Sequence, residues 1–176
     1  LLGKIALVTG SSSSIGETIL KALANVGAKV ILTYNSKDPL EKKNSLRIIN
    51  DLTQKDILLQ EIALDLSSRN SIYEMYNIIQ NKYDKLDILI NNAATFHHKI
   101  PLLDLDENEW DRVMNVNLKG TFLCIKHAAK LMIKNKIKGK IINISSVGAD
   151  KIFSNMGAYA TSKGAINTLT KVMAVE

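Results

Sequence analysis

The sequence contains few of the residues that characterise disulfide-linked, low-complexity or nucleic-acid-binding chains. Its 176 residues include one cysteine, two prolines and nine glycines. The one cysteine, Cys124, cannot form a disulfide within the chain, which fits a reducing compartment. Aromatic residues make up 5% of the chain, and the lysines are scattered rather than gathered into a basic run. We therefore interpret the formal net charge of +6 as solvated helix faces and expect no nucleic-acid partner.

Long apolar runs are also absent. Runs such as residues 5–8 and 88–90 are far shorter than the roughly 18 apolar residues that a membrane-spanning helix needs. The first residues show neither the charged region nor the long apolar stretch of a secretory signal, so we expect a cytoplasmic protein without a membrane segment. Apolar residues nevertheless make up 46% of the chain and charged residues 23%, which is typical of a globular domain.

Apolar segments of strand length alternate along the chain with segments of helical period. This pattern is typical of an α/β fold in which helices cover both faces of a parallel sheet. The predicted strands are residues 4–9, 29–34, a part of 57–64, 86–91 and 140–145. The predicted helices span about 15–26, 39–52, a segment capped by Ser67 or Ser68, a short segment opened by Asp106, about 117–137, and about 157–176. Gly27 and Gly139 are predicted helix stops.

A turn rich in small residues follows the first predicted strand. It reads Thr9-Gly10-Ser11-Ser12-Ser13-Ser14-Ile15-Gly16 and leads into a helix, so its backbone amides could face a pyrophosphate. The literal G-x-G-x-x-G fingerprint is absent, and Ser/Gly runs also occur in ordinary loops. Ser14 leaves two alternatives, because its hydroxyl could donate to a phosphate oxygen or its side chain could crowd the dinucleotide. We favour the first.

Tyr159 and Lys163 lie four residues apart in the last predicted helix and therefore share one face. A lysine ammonium beside a phenol stabilises phenolate, which suits proton exchange with an alcohol or carbonyl. An isolated pair of this kind is more often a surface pair on an amphipathic helix. Here Ser146, Asn117 and the small-residue turn are also predicted at the carboxyl ends of strands, where open α/β sheets bind ligands.

In combination, these segments resemble the short-chain dehydrogenase/reductase family over residues 3–176. The small-residue turn resembles T-G-x-x-x-G-[IL]-G, Asn91-Asn92-Ala93-Ala94 resembles N-N-A-G, and Tyr159-Ala160-Thr161-Ser162-Lys163 matches Y-x-x-x-K. Ser14 and Ala94 replace glycines of these motifs. The family continues through two further strands and a substrate-covering segment. We therefore expect a Rossmann-type, doubly wound parallel sheet that is C-terminally incomplete.

The resemblance implies one NAD(P)-binding Rossmann domain over residues 1–176 and hydride transfer between a nicotinamide and a carbonyl or alcohol. Tyr159 would be the general acid/base and Lys163 would assist it and bind the nicotinamide ribose. Ser146 would orient the substrate oxygen and Asn117 would hold a water in a proton relay. The implied cofactor-binding residues are Gly10, Ser12, Ser13, Ser14, Ile15, Gly16, Asn35, Ser36, Asp65, Leu66, Asn91, Ala93, Tyr159 and Lys163. Asp65 would contact the adenine, and Asn91 to Ala93 would flank the adenosine ribose. Asn91 would also brace the central sheet, and a merely structural role for it is the alternative.

The stretch after the second strand bears on the choice of cofactor. NAD-selective sites usually have an acid there, but residues 33–37 contain none, and Asn35, Ser36 and Lys37 could receive a 2′-phosphate. Ser13 is not the basic residue that many NADP-using relatives carry, and Lys37 as a solvated surface lysine is the alternative. We favour NADP and keep NAD open.

The sequence indicates the substrate and the oligomeric state less clearly than it indicates the cofactor site. The opening of the chain resembles 3-oxoacyl-carrier-protein reductases, and residues 137–140 resemble glucose dehydrogenases. We favour a ketoreductase of the first type, with a sugar or polyol dehydrogenase, or a noncatalytic dinucleotide-binding protein, as alternatives. His97 and His98 have no accompanying ligand cluster, so no metal is predicted. In relatives the helix after Asn117 forms subunit contacts, so the resemblance implies a homodimer or homotetramer. Burial against its own sheet explains part of the apolar face of this helix equally well.

Overall fold

The computed structural model describes residues 1–54 and 56–176. Short segments rich in Ile, Leu and Val form five strands, as their β propensity favours. The strands are β1 (Ile5–Val8), β2 (Lys29–Tyr34), β3 (Leu58–Ala63), β4 (Ile88–Asn91) and β5 (Lys140–Asn143). The helices are α1 (Ser14–Asn25), α2 (Pro39–Gln54), α3 (Arg69–Tyr83), α4 (Glu107–Met114), α5 (Thr121–Lys134) and α6 (Gly157–Val175).

All neighbouring strands of the sheet are parallel, in the order β3-β2-β1-β4-β5. Leu7 of β1 is in register with Ile31 of β2 and with Leu89 of β4. The chain therefore builds outward from β1 in one direction and then crosses to β4 on its other side. The carboxyl ends of β1 and β4 flank the point where this order reverses, which is where open parallel sheets form ligand crevices.

Alternation along the strands produces a core on each face of the sheet. Leu7, Ile31 and Leu89 pack with buried residues of α3 and α5. Val8 and Leu32 point to the opposite face and pack with buried residues of α1 and α2. Helices thus cover both faces, which confirms the predicted doubly wound α/β fold. Within the described ranges, no helix is long and apolar enough to span a bilayer.

The helix stop predicted at Gly139 is wrong. Helix α5 ends at Lys134, and Lys136 adopts the left-handed conformation with φ 55°. Gly139 lies beyond this turn, where a Cβ would collide with the sulfur of Met132. Its lack of a side chain therefore serves close packing of α5 against the chain entering β5, and the left-handed position is occupied by a lysine.

Helices α4 and α5 are joined without an intervening loop. The six residues Asn115–Gly120 form one π-helical turn between them, so the predicted start of a separate helix near Asn117 is wrong. A π-helical turn widens the helix by one residue and is frequent at functional sites. The alternative caps of α3 are also resolved, since the Ser68 hydroxyl accepts the amide of Ser71 at 3.3 Å.

Candidate active site

One cavity of about 630 Å³ lies at the carboxyl ends of the strands, beside the reversal of strand order. Its wall includes the turn after β1, the segment after β2, the loop after β4 and one end of α6. The predicted site residues that line it are Gly10, Ser13, Ser14, Ile15, Asn35, Asp65, Leu66, Ala93, Tyr159 and Lys163. The predicted site residues outside its wall are Ser12, Gly16, Ser36, Asn91, Asn117 and Ser146.

The turn after β1 presents the N-terminus of α1 to this cavity. Ser13 is the N-cap, and its hydroxyl accepts the Gly16 amide at 3.2 Å and donates to the Gly10 carbonyl at 2.8 Å. The amides of Ser14 and Ile15 belong to the first turn of α1, where no intrahelical acceptor exists. Gly10 has φ 63°, and a Cβ there would lie 2.9 Å from the Cα of Ala93. The turn therefore suits an anionic group.

Ser12 and Gly16 are buried beneath this turn, outside the cavity wall. The Ser12 side chain is buried and donates to Glu41 Oε2 at 2.8 Å. A Cβ at Gly16 would collide with the Gly10 carbonyl and with the Asn92 side chain, so α1 can approach the turn only through a glycine. Direct cofactor contacts predicted for Ser12 and Gly16 are therefore less favoured by the geometry than a role in shaping the turn.

Two adjacent asparagines after β4 have different roles. Asn91 Nδ2 donates to Asn143 Oδ1 at 2.8 Å, which joins β4 to β5 and supports the sheet-bracing alternative. Asn92 Nδ2 donates to the carbonyls of Thr9 and Gly10, each at 3.0 Å, and so ties the β4 loop to the turn after β1. Residues 91–93 were expected to flank the adenosine ribose, but the hydrogen bonds of Asn92 to this turn were not predicted.

Helix α6 places Tyr159 and Lys163 on the cavity wall, as their spacing predicts. The Lys163 ammonium donates to the carbonyl of Ile144 at 2.7 Å and lies 5.8 Å from the centre of the Tyr159 ring. Lys163 is only 3% exposed, and this burial lowers the pKa of its ammonium to about 8. The ring of Phe96 stacks on that of Tyr159, with centroids 4.1 Å apart and an interplanar angle of 23°.

Asn117 is fully buried beneath the loop that follows β4. Its Oδ1 accepts the Thr95 amide at 2.8 Å, and its Nδ2 donates to the Thr95 carbonyl at 3.0 Å and to Ser162 Oγ at 3.1 Å. Both side-chain N–H groups are therefore used within the protein, and the residue joins the β4 loop to α6. The Thr95 side chain is further held by Arg112, which lines the cavity.

The two serines after β5 differ from expectation in their orientation. Ser146 Oγ accepts the amide of Gly148 at 3.1 Å and caps the short 3₁₀ turn Val147–Ala149. Ser145 lines the cavity instead, and its hydroxyl donates to the carbonyl of Lys163 at 3.3 Å. The role of Ser146 in orienting a substrate oxygen stays a prediction.

The end of the cavity opposite Tyr159 contains charged side chains. Lys37 Nζ bridges to Asp65 Oδ2 at 2.7 Å. Partial burial raises the pKa of Asp65, but hydrogen bonds from Lys37 and Ser67 outweigh it and hold that pKa below its usual value. Ser36 is exposed and lies outside the wall. Among the described residues, no group of three His, Cys, Asp or Glu side chains is arranged to hold a metal ion.

A carboxylate from α2 contacts the segment after β2, although residues 33–37 themselves contain no acid. Glu41, in the first turn of α2, lines the cavity, and its Oε2 accepts the Asn35 amide at 2.8 Å. Asp38 fixes the start of α2 by accepting the Leu40 amide at 2.8 Å, which directs this first turn. The contact of Glu41 with Asn35 was not predicted from the sequence.

Comparison with known proteins agrees with this arrangement. The family model described as short chain dehydrogenase matches residues 4–176. A short-chain type dehydrogenase/reductase of Picea abies is 33% identical over 99% of this chain and 65% of its own length. Glucose 1-dehydrogenase 2 of Bacillus subtilis is 33% identical over 99% of this chain and 66% of its own length.

A solved structure shares the fold closely. The gluconate 5-dehydrogenase of Burkholderia cenocepacia, crystallised with NADP and tartrate, superimposes with a TM-score of 0.88 at 28% identity. The match covers 99% of this chain and 66% of that protein. The chain therefore belongs to the short-chain dehydrogenase/reductase family. It spans about two thirds of the length of these relatives.

Proposed function

We propose that the protein is an NAD(P)-dependent oxidoreductase that transfers hydride between a nicotinamide and a carbonyl or alcohol. One observation carries the proposal: a single cavity connects the N-terminus of α1 to the buried pair Tyr159 and Lys163. Residues 1–176 would act as one NAD(P)-binding domain. The family match over residues 4–176 supports this assignment.

The residues present fit a dinucleotide. The amides of Ser14 and Ile15 offer donors for a pyrophosphate at the positive end of a helix dipole. Asp65 and Leu66 line the end where the adenosine would lie, and Ala93 lies between the two ends. The dinucleotide supplies the hydride when bound. NADP in the gluconate 5-dehydrogenase structure supports our preference for NADP, with NAD as the other candidate.

Tyr159 is the proposed acid/base group. In reduction its hydroxyl proton passes to the oxygen of the carbonyl group whose carbon receives the hydride, and in oxidation the phenolate takes the alcohol proton. The ammonium of Lys163, held by the Ile144 carbonyl, stabilises that phenolate by its charge. With a pKa of about 8, Lys163 is mostly protonated at neutral pH and can serve this purpose. Phe96 gives the site an apolar wall against Tyr159.

The proposed substrate class rests on the names of two relatives. The names of the glucose and gluconate dehydrogenases support the sugar or polyol alternative. The 3-oxoacyl reductase type, favoured from the opening segment, stays a prediction. We also expect a homodimer or homotetramer, from the family resemblance, and a cytoplasmic location, from the sequence.

Replacing Tyr159 with phenylalanine tests the function. We expect turnover to be lost while dinucleotide affinity stays near that of the wild type, because only the proton-transferring oxygen is removed. Dinucleotide oxidation is measured with a panel of ketones, aldehydes and sugars, and binding by calorimetry. Tyr73→Phe is the matched control, since Tyr73 is exposed on α3 and lies outside the cavity wall.

The outcomes separate the enzyme from its main alternative. Wild-type turnover in Tyr159→Phe would remove this residue from the proposed role. Dinucleotide binding by the wild type without turnover on any substrate would favour a noncatalytic dinucleotide-binding protein.

A further inference from the structure

The carboxylate of Glu41 already occupies donors at the adenosine end of the cavity. Its Oε2 accepts the backbone amide of Asn35 and the hydroxyl of Ser12, both at 2.8 Å. Backbone amides and serine hydroxyls are groups that commonly bind phosphate oxygens. At this position they hold a carboxylate from the protein itself. An additional anion beside the end of β2 would therefore compete with Glu41 and be repelled by it.

Among the described residues lining this end, one charge could oppose that repulsion, and it is already paired with an acid. The charged residues lining it are Lys37, Asp38, Glu41 and Asp65, so one cation faces three acids. Lys37 is bound to Asp65 at 2.7 Å, and Asp38 accepts the amides that begin α2. A 2′-phosphate adds a charge of roughly −1.5 to −2, as phosphate monoesters do at neutral pH. A ribose 2′-hydroxyl is neutral and can donate to a carboxylate.

We propose that Glu41 is a specificity-determining residue that weakens the binding of NADP relative to NAD. The inference rests on the dinucleotide site proposed above and names the residue that sets its selectivity. Lys37 acts in the opposite direction, because it can bind a 2′-phosphate once its ion pair with Asp65 opens. The opposing effects of Glu41 and Lys37 on the 2′-phosphate set the ratio of the NADP affinity to the NAD affinity, whichever cofactor is preferred.

The test is a titration of Glu41→Gln with NADP and NAD, and with 2′,5′-ADP and 5′-AMP as fragments of the adenosine end. Glutamine keeps the length of the side chain and an oxygen that can accept from Asn35 and Ser12. Repulsion between a carboxylate and a phosphate a few ångströms apart near the surface alters affinity on the order of tenfold. We expect NADP and 2′,5′-ADP to bind tighter by about this factor, with NAD and 5′-AMP nearly unchanged. The effect should shrink at high salt.

Two further variants sharpen the result. Glu74→Gln makes the same change in net charge on an exposed face of α3 outside the cavity wall and should leave the ratio unchanged. Lys37→Met should weaken NADP selectively. If Glu41→Gln is unstable in a thermal melt, Glu41→Ala is titrated instead with the same expectation.

The outcomes are distinct for the two proposals. Equal changes in NADP and NAD affinity, or no change in either, would assign Glu41 a merely structural role and overturn this inference while leaving the dinucleotide site intact. Failure of the wild type to bind either dinucleotide would overturn the proposed function and this inference together.

Discussion

Replacing Lys163 with methionine should stabilise the folded protein at neutral pH and also remove its activity. Lys163 is 3% exposed, and burial lowers its pKa from 10.5 to about 8. The two values differ by about 2.5, and each pKa unit is worth about 1.4 kcal/mol, so burying the charged form costs about 3 kcal/mol. Methionine carries no charge but loses the hydrogen bond to Ile144, which offsets about 1–2 kcal/mol of the gain. The net expectation is a gain of about 1–2 kcal/mol in the free energy of unfolding.

The pH dependence gives this prediction a second readout. Because the folded pKa of Lys163 lies below the unfolded value, the unfolded chain retains its proton between about pH 8 and 10.5. The free energy of unfolding of the wild type therefore gains a contribution as pH rises through this window. Below pH 8 the advantage of Lys163→Met is constant, and above it the advantage diminishes.

Urea unfolding at pH 7 and pH 10 measures both effects, with Lys171→Met as the control because Lys171 is exposed on the same helix. A Lys163→Met protein that is less stable than the wild type at pH 7, or a difference that does not shrink with pH, would refute the reasoning. The same variant should lose turnover and dinucleotide affinity if the ammonium assists Tyr159 and binds the nicotinamide ribose, as the family resemblance implies. Unchanged dinucleotide binding by calorimetry would contradict the ribose contact.

Two other substitutions test the turn after β1 and the sheet beside it. Ser14→Ala should weaken dinucleotide binding by about 0.5–1.5 kcal/mol if the hydroxyl donates to a phosphate oxygen, and Ser14→Gly should weaken it too; tighter binding by the glycine variant would instead indicate crowding. Asn91→Ala should lower the free energy of unfolding by about 0.5–1.5 kcal/mol, because the hydrogen bond to the half-buried Asn143 Oδ1 is lost, while dinucleotide affinity stays the same. Reduced affinity at unchanged stability would favour the ribose contact.

Local patterns predicted most of the fold. The run from Lys29 to Tyr34 was predicted as a strand with the bounds that the structure shows, because its apolar segment has the length of a strand. In the structure four consecutive residues of it are buried. The π-helical turn Asn115–Gly120 was not predicted, since the widening of one turn hardly alters the apolar period that side chains reveal. Gly139 was misassigned because the sequence does not show why a glycine is needed. Here the glycine avoids a collision with Met132, whereas a helix stop needs one for a left-handed φ.

In the candidate site, contacts within one helix were predicted from the sequence, whereas contacts between distant segments were not. Tyr159 and Lys163 could be predicted as neighbours because both lie on one helix face, where spacing alone brings side chains together. Glu41 and Asn92 act across the fold, on partners such as Ser12 and Gly10. Such contacts depend on the strand order and on the direction in which each helix begins, and the residue types alone do not specify either of these.

Asn117 illustrates how residues outside the cavity can determine its geometry. The hydrogen bonds from Asn117 fix both backbone polar groups of Thr95 and reach Ser162 on α6. Asn92 fixes the start of the same loop to the turn after β1. The segment just before Phe96 is thereby joined both to the turn after β1 and to α6, the helix that carries Tyr159. Because the side-chain N–H groups of Asn117 are already used, this geometry favours a positioning role for its side chain over direct contact with a relay water.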